Sequence, residues 1–181
     1  MNKFKGTGVA LVTPFRKEGE VDFNALQKLV EFQIENGVNY LVVQGTTGES
    51  VTLTDEEKVS VLEYIIDVAK NRVPIVLGVG GNNTSNVVQQ IKKFNSYRID
   101  AYLSVSPYYN KPSQAGIVAH YCQIAQATDK PIILYNVPGR TGSNMTAETT
   151  LMLANTYANV IAVKEASGNL EQIMEIIKNK P

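Results

Sequence analysis

The stretch VIAVKEASG, residues 160–168, holds an apolar run that ends on a lysine, Lys164. Lysine is among the residues least often buried. Packing among Val160, Ala162 and Val163 would favour its neutral amine, which attacks a carbonyl and forms a Schiff base. The iminium then serves as electron sink while the adjacent carbon loses a proton, so this chemistry calls for neither a metal nor a bound cofactor. The ordinary alternative is a lysine that reaches solvent or pairs with a carboxylate. The chemistry also needs proton shuttles. The single histidine, His120, falls inside a helical segment away from the strand ends and reads as a surface or helix-packing residue. The hydroxyls of Tyr135, Tyr109 and Thr46 are the candidates instead, although each tyrosine also suits the amphipathic edge of a core. Arg140, after Pro138-Gly139, is suited to gripping a carboxylate with two parallel hydrogen bonds; an exposed ion pair of little energy is its ordinary alternative. The turn Gly45-Thr46-Thr47-Gly48 offers backbone N–H groups to an anion, or is simply a tight strand-to-helix connection. Taken together, these residues describe a Schiff-base enzyme acting on an oxo-acid, with one carboxylate at Thr46–Thr47 and another at Arg140.

Such residues need elements to position them. Apolar runs of strand length begin at Gly8, Asn39, Val73, Ala101, Pro131 and Val160, at intervals of roughly 30 residues. They are rich in Val, Ile and Leu and hardly alternate, as strands covered on both faces should. Helical periods lie between them. In TDEEKVSVLEYIIDVAK, Thr54 and Glu57 form a capping box and Asp55 and Glu56 complement the helix N-terminus, with Val59, Leu62, Ile66 and Ala69 expected on the buried face. Asp22 caps another helix that Gly37 stops, and further helices are expected to begin near Thr84, Ser113, Thr146 and Asn169. Strict alternation of strand and helix gives a parallel sheet with right-handed crossovers. Both a doubly wound open sheet and a (β/α)8 barrel fit. In parallel α/β proteins the site lies at the carboxyl ends of the strands, and the candidate residues all follow such ends. GVGGNN (78–83) lacks the third glycine of a dinucleotide fingerprint, and GTTGES lacks the Gly-Lys pair of a phosphate loop.

Composition narrows the class. The chain of 181 residues balances 17 Lys+Arg against 17 Asp+Glu, which gives no electrostatic reason to expect nucleic acid or an anionic membrane as partner. The lone Cys122 allows no intrachain disulfide, and the VALV run near the N-terminus is too short for a membrane span. A cytoplasmic protein is the expectation.

GTTGES (45–50), SPYYNKPSQ (106–114), YNVPGRTG (135–142) and VKEASGNL (163–170), in this order, closely resemble the dihydrodipicolinate synthase family. That family lies within the pyruvate-dependent class I aldolases that include N-acetylneuraminate lyase. The resemblance runs from the first strand to the end of the chain and implies a (β/α)8 barrel, of which residues 1–181 form one domain with about six of the eight βα units. It implies a lyase that condenses pyruvate with L-aspartate 4-semialdehyde in lysine and diaminopimelate biosynthesis, with no cofactor beyond the covalent pyruvate. In this reading Lys164 forms the Schiff base, and Tyr135, Thr46 and Tyr109 make the proton relay, with Tyr109 reaching into a neighbouring subunit. Thr46 and Thr47 hold the pyruvate carboxylate and Arg140 that of the second substrate. The assembly implied is a homotetramer, a dimer of dimers. Alternatives are another aldolase of the superfamily, acting on sialic acid or a sugar acid, or a non-catalytic small-acid binder. The YYNKPSQ loop and Arg140 favour the synthase. Ser50, Asn82 and Tyr108 match an inhibitory lysine cleft found in some members, whereas Asp55, Lys58 and Asn86 depart from the sensitive pattern, so weak feedback is expected. A chain without the last two βα units and the C-terminal helices is expected to be poorly active.

Overall fold

The computed structural model describes residues 2–181. The chain divides into two compact units, one running to Gly78 and including Arg98–Asp100, the other comprising Val79–Tyr97 and Ala101–Pro181.

The first unit holds β1 (Gly8–Ala10), α1 (Phe23–Glu35), β2 (Tyr40–Val43), α2 (Asp55–Ala69) and β3 (Ile75–Gly78). Short 3₁₀ turns at Thr46–Gly48 and Ser50–Thr52 lie between β2 and α2. The strands are parallel, with Gly8 opposite Tyr40 and Leu41 opposite Ile75. Leu26 and Val30 of α1, Leu41 and Val43 of β2 and Val76 and Leu77 of β3 are buried at its centre. β1 is shorter than its apolar run. Leu11 still donates its N–H to Val42, but Pro14 has no N–H to continue the ladder. The capping box at Thr54 and Glu57 forms as expected. The buried stripe of α2 is Val61, Leu62, Ile65 and Ala69, not one through Val59 and Ile66; both stripes have helical spacing, and periodicity alone does not set which of them faces the strands.

The second unit holds α3 (Thr84–Phe94), β4 (Ala101–Val105), α4 (Gln114–Gln126), β5 (Ile132–Asn136), α5 (Pro138–Thr141), α6 (Ala147–Thr156), β6 (Val160–Glu165) and α7 (Leu170–Asn179). β5 pairs in parallel with β4 and with β6. β5 is buried throughout and β4 nearly so, as their unbroken apolar runs require. β6 is not: Ala162 and Lys164 are exposed, and nothing among the described residues covers that face. In both units every helix longer than one turn starts on a side-chain cap, at Asp22, Thr54, Asn83, Ser113, Thr146 and Asn169.

His120 is buried in α4, 3% exposed, with Nδ1 2.8 Å from the Thr84 hydroxyl at the start of α3, and Nε2 has no partner among the described residues. Burial pulls its pKa from 6.5 down to about 4. The unfolded chain therefore binds the proton first as pH falls, and stability should be lost progressively between pH 6.5 and 4. The His120→Gln variant, compared with the parent by urea unfolding across that range, is expected to show a flatter dependence on pH.

Candidate active site

The carboxyl end of β5 is built around Asn136, which has no solvent exposure. Its Nδ2 donates to Glu165 Oε1 and Oε2 at 3.1 and 2.9 Å and to Asn144 Oδ1 at 2.8 Å, and its Oδ1 accepts from the Met145 N–H at 2.9 Å. Glu165 also accepts from the Ser167 N–H at 2.8 Å and from Gln172 Nε2 of α7 at 2.8 Å. Partial burial acts to raise the pKa of Glu165, but the hydrogen bonds from Asn136, Ser167 and Gln172 outweigh it and hold the carboxyl below its ordinary value.

This network joins β5, β6 and α7 one residue beyond the candidate amine. In the β5–β6 register Tyr135 lies opposite Lys164 and Asn136 opposite Glu165. Lys164 Nζ sits 4.4 Å from the centroid of the Tyr135 ring, close enough for a cation–π contact. Tyr135 is buried, 6% exposed, whereas Lys164 is exposed. The burial expected around the amine is thus absent on its open side, since Ala162 is exposed and Val163 only half-buried. Lys164 forms no ion pair among the described residues, and neither does Arg140, which is exposed on α5.

Tyr109 follows β4 with φ +74°, and the Asn110 N–H donates to the Tyr108 carbonyl at 2.9 Å. A three-residue turn with positive φ is strained for any residue with a β-carbon. Here it holds a tyrosine outward, 85% exposed. Tyr108 beside it is half-buried, and Asn82 is exposed in the loop before α3. In the first unit, Thr46 and Thr47 are both exposed on the 3₁₀ turn after β2, and Ser50 opens the next turn. Asp55 pairs with Lys58 one helical turn on, at 3.3 Å.

The structure brings Tyr135 and Lys164 together and sets Tyr109, Arg140 and Thr46–Thr47 each on a loop or turn after a strand end. Sequence reasoning missed Asn136, Glu165, Asn144 and Gln172. The signal was present, since two polar residues at adjacent ends of apolar strands, Asn136 and Glu165, require partners if buried. Among the described residues no cluster of three or more His, Cys, Asp or Glu side chains could hold a metal, and no helix is long and apolar enough to cross a membrane.

The parallel βα units set Tyr135 at the end of β5 beside Lys164 near the end of β6. Residues 3–181 match the dihydrodipicolinate synthetase family, and the chain belongs to it. The 4-hydroxy-tetrahydrodipicolinate synthase of Parabacteroides distasonis is 61% identical over 177 residues, 98% of this chain and 60% of that protein. The crystal structure of dihydrodipicolinate synthase from Aquifex aeolicus matches with a TM-score of 0.94 at 43% identity, covering 98% of this chain and 60% of the other. A monomeric dihydrodipicolinate synthase variant matches with a TM-score of 0.95 at 39% identity, covering 98% of this chain and 59% of the other. The fold is accordingly that of six βα units of a (β/α)8 barrel. The chain spans about 60% of the length of the curated relatives it matches.

Because the folded-state pKa of Glu165 lies below its ordinary 4.5, its network contributes fully above that value and is lost as pH falls through the lower, folded one. The Glu165→Gln variant is expected to be less stable at neutral pH by about 1–3 kcal/mol and to lose stability less steeply in acid. Denaturant unfolding from pH 7 down to 3 checks both.

Proposed function

We propose that the chain carries the Schiff-base half-site of a 4-hydroxy-tetrahydrodipicolinate synthase, a lyase of lysine and diaminopimelate biosynthesis. The observation that carries this reading is the placement of Lys164 Nζ over Tyr135 with no carboxylate partner among the described residues, in a chain of this family. Lys164 adds to C2 of pyruvate, and loss of water gives the protonated imine. A proton leaves the methyl carbon and the resulting enamine attacks the aldehyde of L-aspartate 4-semialdehyde. The amine of the condensed product then adds to C2, closing the ring and expelling Lys164.

Tyr135 delivers and removes protons, and Thr46 and Tyr109 complete the relay. Thr46 and Thr47 hold the pyruvate carboxylate, and Arg140, whose guanidinium is free of carboxylates among the described residues, holds that of the second substrate. The outward Tyr109 serves a neighbouring subunit in a homotetramer built as a dimer of dimers. No cofactor is required beyond the covalent pyruvate, and the protein works in the cytoplasm.

Incubation with pyruvate and borohydride, followed by intact mass and peptide mapping, tests the reading. A reduced adduct on Lys164 is expected, absent from Lys164→Ala, with Tyr135→Phe forming it at least about 10²-fold more slowly. No adduct on a chain that circular dichroism shows folded would overturn the proposal. The lysine cleft gives a separate expectation. Asp55, Lys58 and Asn86 depart from the residues of the lysine-sensitive pattern, so half-inhibition by L-lysine should require more than millimolar concentration, and half-inhibition below that in a turnover assay would contradict it.

A further inference from the structure

We infer that Gln44 is a positioning residue for the Thr46–Thr47 turn, which it fastens to α2; the inference rests on the reading of that turn as the holder of the pyruvate carboxylate. Gln44 follows the last residue of β2 and is 5% exposed, with φ +57°. That backbone region is disfavoured for a residue with a β-carbon and free for glycine. Yet glycine stands one place further on, at Gly45, and a long polar side chain occupies the strained position. Such strain persists only where the surroundings over-determine it.

The surroundings here do. The carbonyl of Gln44 lies so close to Gly78 of β3 that a β-carbon there would come within 2.3 Å of its oxygen. The side-chain Nε2 donates to the carbonyl of Lys58 in α2 at 2.5 Å. Beyond the turn, the Thr13 hydroxyl donates to the Gly48 carbonyl at 2.7 Å from a buried position. The turn is thus tied at its entry by Gln44 and at its exit by Thr13, while Thr46 and Thr47 stay exposed between the ties. A residue needed only to fill space would not need an amide, because a buried amide carries a penalty unless it finds a partner. The donor is the informative part: it sets the height of the turn above β2 by reference to a helix that contributes no candidate catalytic group.

The test compares the parent with Gln44→Met, which keeps length without the donor, and Gln44→Gly, which adopts the positive φ freely and loses the tie. Borohydride trapping is read as a function of pyruvate concentration. Both variants are expected to trap pyruvate fully at saturation but to need about five-fold more for half-saturation, the effect of one lost hydrogen bond. Half-saturation within two-fold of the parent in a folded variant would overturn the inference and leave the reading of Lys164 intact. Trapping lost at every concentration in a folded variant would also overturn it, by showing collapse of the site instead of displacement of one turn. Should Gln44→Met fail to fold, Gln44→Gly carries the test; failure of both would assign Gln44 to the core and refute a positioning role. No adduct in the folded parent would overturn the Schiff-base reading and this inference with it.

Discussion

Asn136 sits at the end of a buried strand with no access to water, so every polar atom it carries must find its partner in the protein. It finds them in Glu165 across the strand pair and in Asn144 and Met145 of the loop that follows. Through Glu165 the same cluster reaches Gln172 on α7. Three elements are therefore held in one register by a polar knot at the carboxyl end of β5 and β6. The register places Lys164 opposite Tyr135. The buried apolar residues of β5 resist a one-residue slip, and the hydrogen bonds at this end add a directional constraint on which residue faces which.

A parallel strand pair holds its own backbone in place, but the residues just beyond it leave the ladder and need other restraints. The second unit supplies them with the knot around Asn136 and with the turn at Tyr109, whose positive φ turns the aromatic ring away from the core. The first unit supplies them with the Thr13 hydroxyl and the strained backbone after β2. Each unit has a positive-φ residue in the segment that follows a strand, Gln44 after β2 and Tyr109 after β4, where loops carry chemistry on a rigid scaffold.

Much of this was legible in the sequence because it is local. Asp22 and Thr54 cap as expected, and the helices expected near Thr84, Ser113, Thr146 and Asn169 start there, each on a side chain that bonds a backbone N–H three residues on. Apolar runs located all six strands. The failures are non-local. Whether α2 turns Val61 or Val59 inward depends on the strands it packs against. The open side of β6 depends on what lies beside it, and a run of Val, Ile and Ala cannot report that. Asn136 and Glu165 are 29 residues apart in sequence, so neither the pair nor its link to Gln172 has a spacing that a single sequence can reveal. Among the candidate site residues, the types and strand-end positions were readable; the contact between Lys164 and Tyr135 followed once β5 and β6 were paired in parallel.

The same geometry explains why the amine has no carboxylate partner among the described residues although a glutamate follows it directly in the chain. Adjacent residues on a strand project to opposite faces, so Glu165 is directed away from Lys164. Its oxygens are also committed, to Asn136, to the Ser167 N–H and to Gln172. A carboxylate saturated by neutral donors keeps its charge without needing a cation, and these hydrogen bonds hold the Glu165 carboxyl below its ordinary pKa. An amine paired with a carboxylate is held in its charged form and cannot attack a carbonyl. With the nearest acid on the far face and satisfied by amides, Lys164 forms no ion pair among the described residues, and its Nζ lies against a tyrosine ring. The pattern Lys164-Glu165 thus divides two faces of one strand: the glutamate fixes the strand end through its hydrogen bonds, and the lysine lies against Tyr135 on the other face.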